Sequence, residues 1–261
     1  VATEDRQDLQ AVIHLCQKEG PKIAFHKDDA DGIISGAMLK FLLREHKPIP
    51  VPLSYNILRS HSILAHLGQY DWIAITDLIP FNIKPLYIYC DHHASAASLT
   101  KNAREVIFDP KAPSATSLLF QRYESQLSNF SLLSRIVKIT DTASYAIPAP
   151  VKIIQPQTAS FDELVWLVND ACKGPESIEE VLEVLEIFAK EQDQAVFNPL
   201  LVEMAKRVVG KRQHSLQIAQ RLTPAPLVIL KIRNQTISDK TVLYELLAHD
   251  EVKVGVSITL R

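Results

Sequence analysis

The acids and histidines of this sequence gather in four short groups: His26, Asp28, Asp29 and Asp31; Asp77; Asp91, His92 and His93; and Asp141. The first three groups each stand at the end of an apolar run, KIAF, WIAIT and LYIYC. Carboxylates that converge in one cleft repel each other, and their ionised forms are costly there unless a cation compensates. A pair of divalent ions supplies that compensation. Oxygen-rich ligation with a few imidazoles suits manganese or magnesium better than zinc, which in structural sites favours cysteine. Two such ions about 3.5–4 Å apart would clamp a phosphoryl group and turn a bridging water into a nucleophile near neutral pH. Taken singly, each group is ordinary. Asp29 or Asp31 alone reads as a helix cap, and Asp77 alone as turn chemistry. The order of all four, each placed at the end of an element, carries the functional reading.

Those groups need elements that bring them together. Lys22 to His26, Ile49 to Leu53, Asp71 to Thr76 and Leu86 to Cys90 read as strands, alternating with helical stretches such as ISGAMLKFLLREH. Strands that are apolar throughout and separated by helices predict a parallel sheet covered on both faces, an α/β fold. In such a sheet the carboxyl ends of the strands line one crevice, where ligands bind. From Ser114 the chain reads as helical, through TSLLFQRYESQL, FSLLSRIVKITD and PESIEEVLEVLEIFAKEQ. Past Pro224-Ala225-Pro226, the runs LVILKI, TVLYELLAHD and VKVGVSITLR read as strand, helix and strand. This divides the chain into a main domain over 1–195, a linker helix over 196–222 and a second, smaller α/β domain over 223–261.

Composition narrows the function classes. Cationic and anionic side chains nearly cancel, with a formal charge of −2, which argues against gripping long nucleic acid mainly by phosphate neutralisation. The cysteines Cys16, Cys90 and Cys172 have neither a disulfide nor a zinc spacing, so a reducing, cytoplasmic setting is expected. No apolar run is long enough for a membrane span. The sequence starts without Met and without a signal-peptide core, which suggests residues missing at this end.

The segments HKDDADGIISG, ITD, CDHH and KITDTASY resemble, in order, the four motifs of the DHH phosphoesterase superfamily. The match covers roughly the first 145 residues, and its DADG style is similar to the RecJ and oligoribonuclease branches. The resemblance implies a manganese-dependent phosphodiesterase, with magnesium as a second option, acting on short oligonucleotides or nucleotides. It implies that His26, Asp29 and Asp77 hold one ion, and that Asp31, Asp77, His92 and Asp141 hold the other, with Asp77 as the bridge. His93 would face the substrate phosphate, and Asp91 would orient a histidine from behind. Gly32 would let the loop turn tightly between the acids and the helix. Asp28 either supports the ligands or replaces Asp29, and Asp29 fits the DADG register better.

Relatives with this first motif carry a DHH-associated domain whose glycine-rich GGGH loop binds substrate. The terminal VKVGVSITLR looks like the strand before that loop, and the loop is not in this sequence. Either the sequence stops short of it or this branch dispenses with it; without it, substrate capture should be weak. Cyclic-dinucleotide hydrolysis, then pyrophosphate or polyphosphate hydrolysis, are the alternative activities. A silent nucleic-acid-binding or scaffold role is the alternative of another class, and oligomers are possible. Smaller signals read as structure: Ser114, Thr116 and Ser117 as caps rather than phosphate contacts, Lys206, Arg207, Lys211, Arg212 and His214 as a solvated helix face rather than a strand guide, Cys90 as buried and inert, and Trp72 and Trp166 as core.

Overall fold

The computed structural model describes residues 3–223, 227–232, 239–247 and 254–259. In chain order the elements are α1 (Thr3–Gln17), β1 (Lys22–His26), α2 (Ala30–Leu42), β2 (Ile49–Leu53), α3 (Tyr55–Leu58), α4 (His61–Leu67), β3 (Trp72–Thr76), β4 (Leu86–Asp91) and β5 (Ala103–Phe108). Then come α5 (Ala115–Arg122), α6 (Ser131–Asp141), α7 (Phe161–Lys173), α8 (Ile178–Glu191), α9 (Pro199–Ala219), β6 (Leu227–Ile232), α10 (Asp239–Leu247) and β7 (Val254–Thr259).

The first five strands form one sheet in the order β2-β1-β3-β4-β5, parallel throughout. From β1 the chain goes to one side for β2 and to the other for β3, so the strand order reverses between β1 and β3, where an open parallel sheet leaves a crevice at its carboxyl edge. Successive residues point to opposite faces. Ile23, Phe25, Ala74 and Ile88 join a core with α2 and α5 to α8, while Ala24, Ile75 and Tyr89 join another under α1, α3 and α4. Both faces are therefore buried, which explains runs that are apolar at every position. The expected α/β fold with a parallel sheet is the observed one.

β5 was not among the expected strands. It lies at the edge of the described sheet, and its Arg104 and Val106 are exposed, so its pattern lacks the continuous apolar run of its neighbours. Glu105 on this strand accepts from Arg122 Nε at 2.5 Å and from Tyr123 Oη at 2.6 Å, tying α5 to the edge.

One cation of α9 departs from the expected solvated face, while Lys206, Arg207 and Lys211 stay partly exposed in surface ion pairs. Arg212 is buried, with Nη2 at 2.9 and 3.1 Å from the two oxygens of Asp170 and Nη1 donating to Pro150 O at 2.6 Å. Arg207 pairs in two-pronged fashion with Glu180, Lys211 with Glu176 and Lys206 with Glu203. The first three of these acids belong to α7, α8 and their connection, so a reading of α9 alone misses them. His214 is exposed. Trp166 is half-buried rather than core, stacked on Tyr145 with ring centroids 4.0 Å apart, whereas Trp72 is buried as expected.

After α9, β6 and β7 pair in parallel and α10 lies between them in sequence, as expected. The proline punctuation at 224–226 lies outside the described residues, as do the ends of the last two runs. No described helix is long and apolar enough to cross a membrane.

Candidate metal centre

Asp29 ends the loop after β1 and caps α2, its Oδ1 accepting from Gly32 N at 3.0 Å. This forces Gly32 against the strand end: a Cβ there would lie 2.1 Å from His26 O. Only glycine fits. We predict that Gly32→Ala destabilises the protein by more than about 3 kcal/mol, since the clash is with backbone that cannot swing away; chemical denaturation measures it.

One residue into α2, Asp31 is fully buried and meets the start of another helix. Its oxygens accept from Ala115 N and Thr116 N, each at 2.7 Å, and Thr116 Oγ1 donates to Asp31 O at 3.2 Å. Ser114 caps α5 by accepting from Ser117 N at 3.0 Å. The helix start is thus filled by the protein's own carboxylate, which leaves capping, not phosphate contact, for these residues.

Asp77 follows β3 with φ +54°, in the left-handed region, and its amide donates to Cys90 O at 2.9 Å. Its buried carboxylate is central: Oδ2 is 3.5 Å from His26 Nδ1, and Oδ1 is 3.5 Å from His93 Nδ1 and 3.7 Å from His92 Nε2. His26 Nδ1 also lies 3.1 Å from Asp29 Oδ2. His92 Nε2 lies 3.3 Å from Asp141 Oδ2, at the last turn of α6, and 3.5 Å from Asp31 Oδ2. Asp28 turns the other way, towards His26 Nε2 at 3.4 Å and Lys27 Nζ at 3.1 Å.

Three sets of side-chain atoms lie close enough to grip an ion, each within 4.8 Å of one another: His26, Asp29 and Asp77; Asp31, His92 and Asp141; and Asp77, His92 and His93. His26 Nδ1, Asp77 Oδ1 and His92 Nε2 are buried without a hydrogen-bond partner. A buried polar atom left so costs about 1–3 kcal/mol, and the residue of each belongs to at least one of the sets. The donors, carboxylate oxygens and imidazole nitrogens without thiolate, fit manganese or magnesium. Cys90, buried against Ala115 O, takes no part.

Crowding of like charges also shows in the titration of these groups. Burial and Asp31 push Asp77 well above the usual carboxylate range, and burial raises Asp31 despite its amide partners. Burial, then Asp31, pushes Asp141 up to about 6. Burial alone would lower His26, but Asp28, Asp29 and Asp77 overrule it and push the imidazole up to about 12, while that imidazole holds Asp28 and Asp29 low.

Behind the site, Asp91 is fully buried with its carboxylate occupied. Oδ1 accepts from His92 N, His93 N and His93 Nδ1 at 2.8, 3.2 and 2.9 Å, and Oδ2 from Tyr89 Oη at 2.9 Å. His93 is the most exposed imidazole of the group. Two residues were missed in the sequence. Tyr55, after β2, sits with its ring 4.9 Å from that of His26 and 6.1 Å from that of His93, its hydroxyl 3.5 Å from Asp77 O. Tyr89 was read only as part of a strand. The one available signal for Tyr55 was its place just past a strand end, at the same edge as the acids.

No protein-family model matches the chain, and no curated protein does. Solved structures do. RecJ exonuclease bound to manganese is similar over 97% of this chain and 80% of its own, with a TM-score of 0.53 at 14% identity. PggH, a pGpG-specific phosphodiesterase from Vibrio cholerae, is similar over 93% of this chain and 78% of its own, with a TM-score of 0.56 at 14% identity. RecJ from Thermus thermophilus in complex with Mn2+ gives a TM-score of 0.56 at 13% identity, over 98% of this chain but 46% of its own. At such identities the likeness is one of fold: this chain has the fold of RecJ and PggH, which are DHH superfamily proteins.

Proposed function

We propose that this chain is a DHH-type, metal-dependent phosphodiesterase that hydrolyses short oligonucleotides or nucleotide phosphodiesters, with manganese as its preferred ion. The observation that carries this reading is the set of three orphaned, buried atoms, on His26, Asp77 and His92, at the junction of the ligand sets. On this reading residues 1–195 form the catalytic domain, 196–222 a linker helix, and 223–261 part of a substrate-binding domain. His26, Asp29 and Asp77 hold one ion; Asp31, Asp77, His92 and Asp141 hold the second. Such a pair, when bound, supplies a nucleophile from water near neutral pH and neutralises charge in phosphoryl transfer.

The remaining roles belong to the chain's own groups. Asp28, 3.4 Å from His26 Nε2, supports that ring from the side opposite Nδ1. His93, its Nδ1 committed to Asp91, keeps Nε2 to donate to a phosphoryl oxygen or the leaving group. The Asp91 hydrogen bond raises the His93 pKa, which favours the protonated donor. The short-substrate reading draws support from the near-neutral overall charge and from the fold shared with a phosphodiesterase of a two-nucleotide substrate.

The test is manganese-dependent hydrolysis, side by side, of an end-labelled dinucleotide, a long single strand, a cyclic dinucleotide and pyrophosphate. Mononucleotides released preferentially from the dinucleotide are expected. Cleavage of the cyclic compound or pyrophosphate alone would replace the substrate while keeping the site, and no cleavage with no bound manganese would leave a binding role. His93→Ala should keep both ions while kcat falls about 10²–10⁴-fold, the usual contribution of a positioned proton donor. Metal analysis beside steady-state kinetics separates the two effects.

A further inference from the structure

Tyr89 is among the largest fully buried side chains, on β4 two residues before Asp91. Its hydroxyl has two acceptors, Leu78 O at 3.0 Å and Asp91 Oδ2 at 2.9 Å. On the carboxylate's other oxygen converge the backbone amides of His92 and His93 and the Nδ1 of His93. Nothing else described donates to Oδ2, so the Tyr89 hydroxyl, with its one proton on that oxygen, completes the restraint that the Oδ1 donors place on the carboxylate's rotation about its Cβ–Cγ bond. That rotation decides where Oδ1 lies, and Oδ1 decides how the His93 ring is held.

We propose that Tyr89 is a positioning residue: its hydroxyl, acting through Asp91, sets the orientation of the His93 imidazole at the phosphoryl site. The inference deepens the phosphodiesterase reading and rests on it, since His93 matters only if it meets a substrate. A buried strand tyrosine has a bland alternative, in which it fills the core and braces the turn after Asp77 through Leu78 O. The two roles separate cleanly. A brace for the Asp77 turn acts on metal retention, whereas a link through Asp91 acts on turnover and needs His93 to be present.

The experiment uses the full chain as wild type, Tyr89→Phe, His93→Ala and the double variant, with an end-labelled dinucleotide and manganese. Tyr89→Phe keeps the ring and removes only the hydroxyl. It should lower kcat about 10- to 100-fold, as loss of an outer partner of a site residue does, with KM and the manganese half-saturation unchanged. In the His93→Ala background the same change should cost nothing further, because residues that act as one unit do not add. An equal loss in both backgrounds, or a loss carried by KM or by the manganese half-saturation, overturns the proposal.

If the wild type hydrolyses none of the substrates, the functional reading fails and the positioning is judged on the molecule itself. The Nδ1–H signal of His93, identified in ring ¹H–¹⁵N spectra by its loss in His93→Ala, should shift or vanish in Tyr89→Phe; an unchanged signal overturns the inference. Should Tyr89→Phe fail to fold, replacing Tyr89 by 3-fluorotyrosine keeps the hydroxyl while altering its donor strength. That signal should then shift, and no shift counts against the link.

Discussion

Asp77→Asn should lose the site's metal while leaving the protein folded, and with the metal should go the activity. Among the described residues, Asp77 carries the only carboxylate that belongs to two of the ligand sets, one with His26 and one with His92, and the proposed assignment makes it the ligand shared by both ions, so its removal weakens both. Loss of an outer-shell partner costs about 10- to 100-fold in metal affinity or activity. Loss of a shared ligand should cost more, at least about 10³-fold in kcat/KM, where a few kcal/mol of transition-state charge stabilisation disappears. Asparagine is the informative choice. Asp77 sits at φ +54°, where alanine adds strain of about 1–2 kcal/mol and asparagine is tolerated. The Asp77→Asn change thus removes a charge and little else. In the metal-free protein that charge is a liability, since Asp31 already repels it across a buried space. Thermal unfolding in chelator should therefore show the Asp77→Asn variant no less stable than wild type near neutral pH, while equilibrium dialysis shows manganese lost. Retention of both ions, or of full activity, would overturn the ligand assignment.

Much of this site was legible because strand ends are legible. Short apolar runs that stop at an acid or histidine say both that a strand is buried on two faces and that its carboxyl end bears a polar group. Parallel pairing then gathers those ends without further information. The preference for Asp29 over Asp28 as a ligand comes from the register of the DADG resemblance; the structure places Asp29 Oδ2 3.1 Å from His26 Nδ1, and Asp28 between His26 Nε2 and Lys27 Nζ. Gly32 was legible for the same reason, and its crowding against His26 O gives the physical basis.

What the sequence withheld lies across elements. β5 carries Arg104 and Glu105 in its middle and is exposed along one edge, so no apolar run marks it. Arg212 on α9 looks like any surface cation until α7 places Asp170 beside it. Asp31 reads equally as a cap or a ligand, and only the arrival of α5 shows its oxygens held by two amides of that helix. Tyr89 reads as strand filler, because a residue's neighbour two positions away on the same face matters only once the end of β4 is fixed. Pairwise contacts between distant segments leave no periodic trace, and the polar groups that complete a site are often contacts of this kind.

Without metal, the protein should be most stable in mild acid and lose stability steadily towards pH 8, and manganese should remove most of that trend. A carboxyl group whose folded pKa lies above its unfolded value binds its proton more tightly when folded. Its contribution is present at low pH and is lost as pH rises through the folded value. Asp141, at about 6 against an ordinary 3.8, sets the window between about pH 4 and 6, and Asp31 and Asp77 are raised in the same sense. The Asp141 gap alone is worth at most about 3 kcal/mol, and less where Asp31 shares the proton. Above about pH 6.5 the histidines continue the decline. His26, at about 12, and His93, also raised, keep their protons in the fold, so their stabilisation is complete below the ordinary 6.5 and drains as pH climbs. Asp28 and Asp29 act oppositely, being held low, and they limit stability only below about pH 4. On the proposed ligand assignment, manganese would take the place of these protons, bind more tightly as they leave, and stabilise only the folded state. Melting curves from about pH 4.5 to 8.5, in chelator and in manganese, measure both effects. Asp141→Asn should flatten the chelator curve between about pH 4.5 and 6. The buried Asp170, which is also raised and lies beside Arg212 rather than in the site, leaves a residual slope that manganese does not touch. A chelator curve that is flat, or that coincides with the manganese curve, would mean that these side chains do not share a cation site.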